Sequence, residues 1–106
     1  MLDLNPENAI VSGKEILGIL RQEKQYLQEH FGLVSIGLFG SYAKGTSSRG
    51  SDIDLLVEFR EPRFDHLAGL QIYLESRLGK PVEVVRKRKG LSERFLRHIE
   101  KNIHYV

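Results

Sequence analysis

A chain of 106 residues, 41% hydrophobic and 28% charged, has apolar material for one core of ordinary domain size, so 1–106 is read as a single domain. It holds no cysteine, which excludes disulfides, thiolate nucleophiles and cysteine–zinc sites. No apolar run approaches the roughly 20 residues that cross a bilayer, and residues 1–15 lack the basic and apolar regions of a leader, so a soluble, cytoplasmic protein without a membrane partner is expected.

The net charge of +2 is unevenly spread. Residues 86–106 hold seven Lys/Arg against Glu93 and Glu100, whereas residues 1–85 hold nine against twelve Asp/Glu. An acidic body with a basic tail suits a protein that holds cations in one place and meets an anion in another.

In chain order, residues 1–11, with Pro6, read as an irregular lead-in. Ser12 and Glu15 have capping-box spacing and predict a helix from Lys14 to about His30, stopped by Gly32. Its inward arc is Ile16, Leu20, Leu27 and Phe31, with Arg21, Glu23, Lys24, Gln25 and Gln28 assigned outward. Val34–Phe39 is a short apolar strand, and residues 40–51 are almost all small or polar. Ile53–Phe59 is a second strand, apolar at nearly every position, as where helices cover a sheet. Beyond a break at Pro62, Phe64, Leu67, Leu70, Leu74 and Leu78 mark one face of a second helix ending at Gly79. Val82–Val85 is a third strand, and Ser92 caps a last helix carrying Phe95, Leu96 and Ile99. The order α-β-(turn)-β-α-β-α predicts an α/β domain whose mixed sheet of three or more strands is flanked by helices.

Two short motifs carry chemistry. Phe39-Gly40-Ser41 leaves a strand through a glycine and offers a hydroxyl at the start of a short helix, which suits phosphate binding but equally an ordinary turn. In Asp52-Ile53-Asp54 the strand period points both carboxylates to one side. Two such charges beside an apolar strand repel and resist desolvation; a hard divalent cation relieves both costs. Read alone, the pair is also compatible with a solvated strand entry.

Together the motifs are more specific. Gly40-Ser41-Tyr42-Ala43-Lys44-Gly45, followed by Ser51-Asp52-Ile53-Asp54-Leu55-Leu56-Val57, sets ten residues between Gly-Ser and Asp-x-Asp. This pattern resembles the minimal nucleotidyltransferases of the DNA polymerase β-like superfamily, most closely the MntA-type antitoxins that accompany HEPN toxins. The resemblance implies a polymerase β-like fold and an adenylyl transfer that uses ATP and two Mg²⁺ ions. Asp52 and Asp54 would hold Mg²⁺, Gly40 and Ser41 the outer phosphates, and Lys44 and Ser51 would border the nucleotide. The family's third carboxylate is an aspartate on the next strand, where this chain has Glu83, one methylene longer.

The acceptor implied is a hydroxyl, a tyrosine on a HEPN-type toxin. Two other readings stand beside it: a module that neutralises its partner by contact alone, and a transferase acting on RNA or a small molecule. The basic run Arg86-Lys87-Arg88-Lys89 reads as a solvated loop, or as a contact for an acidic partner surface, the triphosphate or nucleic acid; no RNA-binding signature accompanies it, and nucleic acid is not the favoured partner. Arg49 on the intervening loop reads as solvated or triphosphate-facing, and Tyr42 as bordering the nucleotide or filling the turn. His30, His66, His98 and His104 show no metal-ligand spacing. Leu91, Phe95, Ile99 and Ile103 recur at helical spacing, as core or partner-facing residues.

Overall fold

In the computed structural model, which describes residues 12–48, 50–61 and 63–106, the Ser12 hydroxyl accepts from the Glu15 backbone N–H and opens α1 (Gly13–Phe31). Gly32, in the left-handed region at φ 67°, closes it by donating to the Gln28 and Leu27 carbonyls. The elements that follow are β1 (Leu33–Phe39), α2 (Ser41–Lys44), β2 (Ile53–Phe59), α3 (Phe64–Leu78), β3 (Val82–Arg86), α4 (Glu93–Glu100) and β4 (His104–Tyr105). The lead-in over 1–11, Arg49 and the break at Pro62 lie outside the described residues.

The sheet has the order β3-β2-β1-β4. β1 runs antiparallel to β2 and to β4, while β2 and β3 are parallel, joined by the α3 crossover. No helix among the described residues is long and apolar enough to cross a membrane.

Side-chain parity assigns the two faces of the sheet. Ile53, Leu55 and Val57 join Ile16, Leu20, Leu27, Leu70 and Leu74 in the larger core, beneath α1 and α3. Leu56 turns the other way and packs with Phe39 and Ile99, supported by Val85, Phe95 and Leu96, beneath α4. Asp54 shares the parity of Leu56, and Glu83 that of Val85, so both belong to the α4 face. Two helices of 19 and 15 residues cover one face and a helix of 8 covers the other.

Along the outer edge of β3, α3 secures the main chain. Pro81 bonds inward to Ile53, so Val82 turns its own groups outward. There its N–H donates to Glu75 Oε2 at 2.9 Å, and its carbonyl accepts from Gln71 Nε2 at 3.1 Å.

Three expectations are corrected. Glu23 does not face outward; it is buried, because at about 100° per residue it lies only about 20° from Ile16, at the edge of the arc of Ile16, Leu20 and Leu27. Its carboxylate accepts from the Tyr73 hydroxyl at 2.5 Å and from Arg77 Nε at 2.7 Å, which satisfies the buried charge. Phe64 is 82% exposed, since it stands off the edge of the arc that Leu70, Leu74 and Leu78 share. The sheet also gains β4, which pairs Gly37 with Tyr105 and Leu38 with His104. Gly37 is required there, because a Cβ would come within 2.8 Å of Ile103 and 2.9 Å of Tyr105.

Candidate active site

The site forms where β1 ends beside β2. Phe39 pairs with Asp54 in register, and the chain then turns through Gly40 into α2. Gly40 adopts φ 76° and ψ −154°, a region open essentially to glycine alone. A Cβ at this position would also strike the Asp54 carboxylate, lying 3.0 Å from its Cγ. Gly40 is thus needed twice, once for its backbone and once so that the turn can close upon Asp54.

Asp54 lies opposite Glu83 across the parallel β2–β3 ladder, and the two carboxyl groups hydrogen-bond. Burial pushes the Asp54 carboxyl up to about 6, with the Glu83 hydrogen bond, the Glu83 charge and the Asp52 charge adding to the effect. Asp52 is exposed just ahead of β2 and acts on Asp54 through its charge. Two carboxyl groups can hydrogen-bond only by sharing a proton, so the pair marks a place where positive charge is wanted.

The donor set fits a hard cation of a particular kind. Among the described residues, no three His, Cys, Asp or Glu side chains form a ready metal cage. Mg²⁺ rarely uses such a cage; it takes one or two carboxylates and completes its shell with phosphate oxygens and water. Asp54 and Glu83, with Asp52 at the rim, are the oxygen donors that could hold such an ion here.

The remaining predicted residues are placed differently from one another. Ser41, half-buried, is the first residue of α2 and follows Gly40 directly, and its carbonyl accepts from Thr46 at 3.0 Å. Lys44, exposed at the end of α2, joins Phe39, Gly40, Phe95, His98 and Asn102 around a pocket of about 150 Å³. The Ser51 hydroxyl accepts from the Ser48 N–H at 2.9 Å, and the Ser51 N–H donates to the Ser48 carbonyl at 3.0 Å. Ser51 therefore shapes the turn that delivers Asp52. Tyr42 is buried, with no partner for its hydroxyl among the described residues, and packs beneath the turn.

The pocket wall supplied by Phe95, His98 and Asn102 was missed as a site feature in the sequence. Their spacing along one helical edge is visible there, but only the fold brings that edge to Gly40. Arg86 is half-buried and Lys87–Lys89 are exposed, on the segment that links Glu83 to α4.

Comparison with known proteins agrees with this geometry. Residues 20–105 match the nucleotidyltransferase domain family. The chain is 39% identical over 95 residues to the protein adenylyltransferase MntA of Thermococcus cleftensis, covering 86% of this chain and 96% of that protein. A solved minimal nucleotidyltransferase superposes with a TM-score of 0.72 at 33% identity, over 89% of this chain and 95% of that one. A toxin–antitoxin structure with AMP-PNP superposes with a TM-score of 0.62 at 26% identity, over 90% and 72% of the respective chains. The glycine turn, the paired carboxylates and these likenesses converge: the chain belongs to the nucleotidyltransferase family, in its minimal, MntA-type branch.

Proposed function

We propose that this chain is a Mg²⁺-dependent protein adenylyltransferase that moves AMP from ATP to a tyrosine hydroxyl of a HEPN-type toxin, acting as its antitoxin in the cytoplasm. The observation that carries the reading is the closure of the Gly40 turn upon Asp54, which faces Glu83 across the β2–β3 ladder. It sets a bare main-chain turn, where a phosphate can approach closely, against oxygen ligands for a divalent ion.

In this reading Asp52, Asp54 and Glu83 hold Mg²⁺, and the Gly40 main chain with Ser41 holds the outer phosphates of ATP. Lys44, at the far end of the same short helix, balances triphosphate charge. Bound Mg²⁺ supplies charge neutralisation for the phosphoryl group under attack and for the pyrophosphate that leaves. The acceptor oxygen bonds to the α-phosphorus as the bond to pyrophosphate breaks. The name of the Thermococcus relative and the AMP-PNP found with a toxin–antitoxin neighbour support the reaction class.

The test is to incubate the chain with labelled ATP, Mg²⁺ and a candidate HEPN-type toxin. Label on a toxin tyrosine, lost with Asp52→Ala or Asp54→Ala, is the expected result. A toxin neutralised without ever acquiring label overturns the enzymatic reading in favour of neutralisation by contact.

A further inference from the structure

Helix α4 divides into three strips. Ile99 is buried on the sheet side with Phe39 and Leu56, and Phe95 packs against them. Glu93 and Glu100 lie together on a second strip, at about 100° per residue. Arg94, Arg97, His98 and Lys101, spaced i, i+3, i+4, i+7, make the third.

All four residues of that third strip are exposed, and with Ser92 and Phe95 they line a shallow depression of about 540 Å³. Among the described residues none of the four closes an ion pair, whereas Arg63 is paired with Asp65 and Arg77 with Glu23. The helix dipole favours Arg97 and His98 in the last turn, but Arg94 in the first turn gains nothing from it, and like charges at these spacings disfavour the helix. His98 also lines the pocket against Gly40 and Lys44. The cationic strip therefore runs up to the Gly40 turn, which closes upon Asp54.

We propose that this strip is the docking surface for the acceptor protein, gripping an acidic segment beside the hydroxyl to be modified. Arginine forks suit carboxylates, and continuity with the Gly40 pocket would set a bound segment next to the reacting phosphate. Single-stranded RNA fits less well, because it is held by cations interleaved with exposed aromatic platforms. The aromatic residue of this face, Phe95, is turned edge-on into Phe39 with centroids 6.2 Å apart. The exposed large hydrophobic residues, Tyr26, Val34, Phe64, Ile72 and Tyr105, all lie on other elements. The reaction at this surface rests on the adenylyltransferase reading, whereas the binding does not.

The experiment uses the full chain, a fluorescein-labelled glutamate–tyrosine copolymer, and a labelled single-stranded RNA of about 20 nucleotides. Arg94→Gln/Arg97→Gln/Lys101→Gln is compared with Lys14→Gln/Arg21→Gln/Lys24→Gln, which removes the same charge from α1. The α4 variant should weaken copolymer binding by about tenfold or more, and the α1 variant by less than about twofold. With ATP and Mg²⁺, the α4 variant should raise KM for the copolymer while leaving kcat and the KM for ATP unchanged. Equal losses in the two variants, RNA bound more tightly than copolymer through α4, or no copolymer binding at low salt each overturn the proposal. Copolymer binding that depends on α4, with no AMP transfer by the wild-type chain, upholds the surface and overturns the adenylyltransferase reading instead.

Discussion

Asp54 and Glu83 face each other across two parallel strands, and below about pH 6 a proton on Asp54 relieves the repulsion between the two carboxyl groups. Exchange of that proton for a metal is expected to accompany substrate binding under those conditions.

Asp54→Asn should abolish transfer without harming the fold. The amide keeps the shape and a hydrogen bond to Glu83, but it loses the charge a hard cation needs. Loss of a supporting partner at a metal site typically costs about 10–100-fold, so loss of a ligand should exceed about 100-fold in turnover. Thermal melts at neutral pH should find the metal-free variant no less stable than wild type.

The raised Asp54 carboxyl also sets a pH dependence. Its folded value of about 6 lies above the ordinary 3.8, so the native chain keeps a proton that the unfolded chain releases. This contribution to stability is fully present below the unfolded value and is lost as pH rises through about 6. Metal-free wild type should accordingly gain stability relative to Asp54→Asn as pH is lowered through about 6. Mg²⁺ binding should follow the opposite trend, weakening below that pH, and titration calorimetry in the presence of a non-hydrolysable ATP analogue would detect it.

Glu83→Gln separates ligand from neighbour. The amide N–H can donate to Asp54, which removes repulsion and brings the Asp54 carboxyl back toward its ordinary range. If Glu83 holds the ion, turnover falls sharply and stability changes little. Full activity with unaltered Mg²⁺ dependence would leave Asp52 and Asp54 as the protein ligands. Glu83→Asp, with the shorter side chain, should keep measurable turnover.

Gly40→Ala should be among the most damaging single-methyl additions in the chain. It forces a side chain into a glycine-only conformation and into the Asp54 carboxylate. Backbone strain of this kind costs on the order of 1–3 kcal/mol before the steric overlap is relieved. A lower melting temperature together with lost nucleotide binding is the expected result; a variant unchanged in both would remove Gly40 from the site.

Glu23→Ala should lower stability without touching catalysis. It strands the Tyr73 hydroxyl, which donates to Glu23 at 2.5 Å, and frees Arg77 Nε at 2.7 Å. An orphaned polar group costs about 1–3 kcal/mol where it stays buried, and the half-exposed Arg77 lowers that figure because water can replace its partner. Denaturant melts should register the loss, with the KM for ATP unchanged.

Much of the fold was legible because periodicity and caps agreed: Ser12, Gly32 and Gly79 end helices where their side chain or left-handed backbone dictates. The Gly40–Ser41 and Asp52–Asp54 positions could be read because their spacing is local. Glu83 was reached through the family pattern, since its meeting with Asp54 depends on strand register rather than on neighbouring residues. β4 was not legible, because His104 and Tyr105 are too few to show alternation and pair only through β1. Glu23 was misplaced by residue type; its angular position already lay at the edge of the buried arc, but nothing local disclosed Tyr73 and Arg77, 50 and 54 residues away.

The attachment of Gln71 and Glu75 to Val82 bears on how the chain behaves in concentrated solution. An unguarded strand edge is a template on which another molecule can add its own strand, the first step of aggregation. Here the opening residue of β3 already has both outward main-chain groups engaged, and the strand runs out into Lys87, Arg88 and Lys89. An incoming strand would have to displace two helix side chains at one end and confront three positive charges at the other. The chain thus protects the sheet edge nearest Glu83 from self-association without adding a strand to cover it.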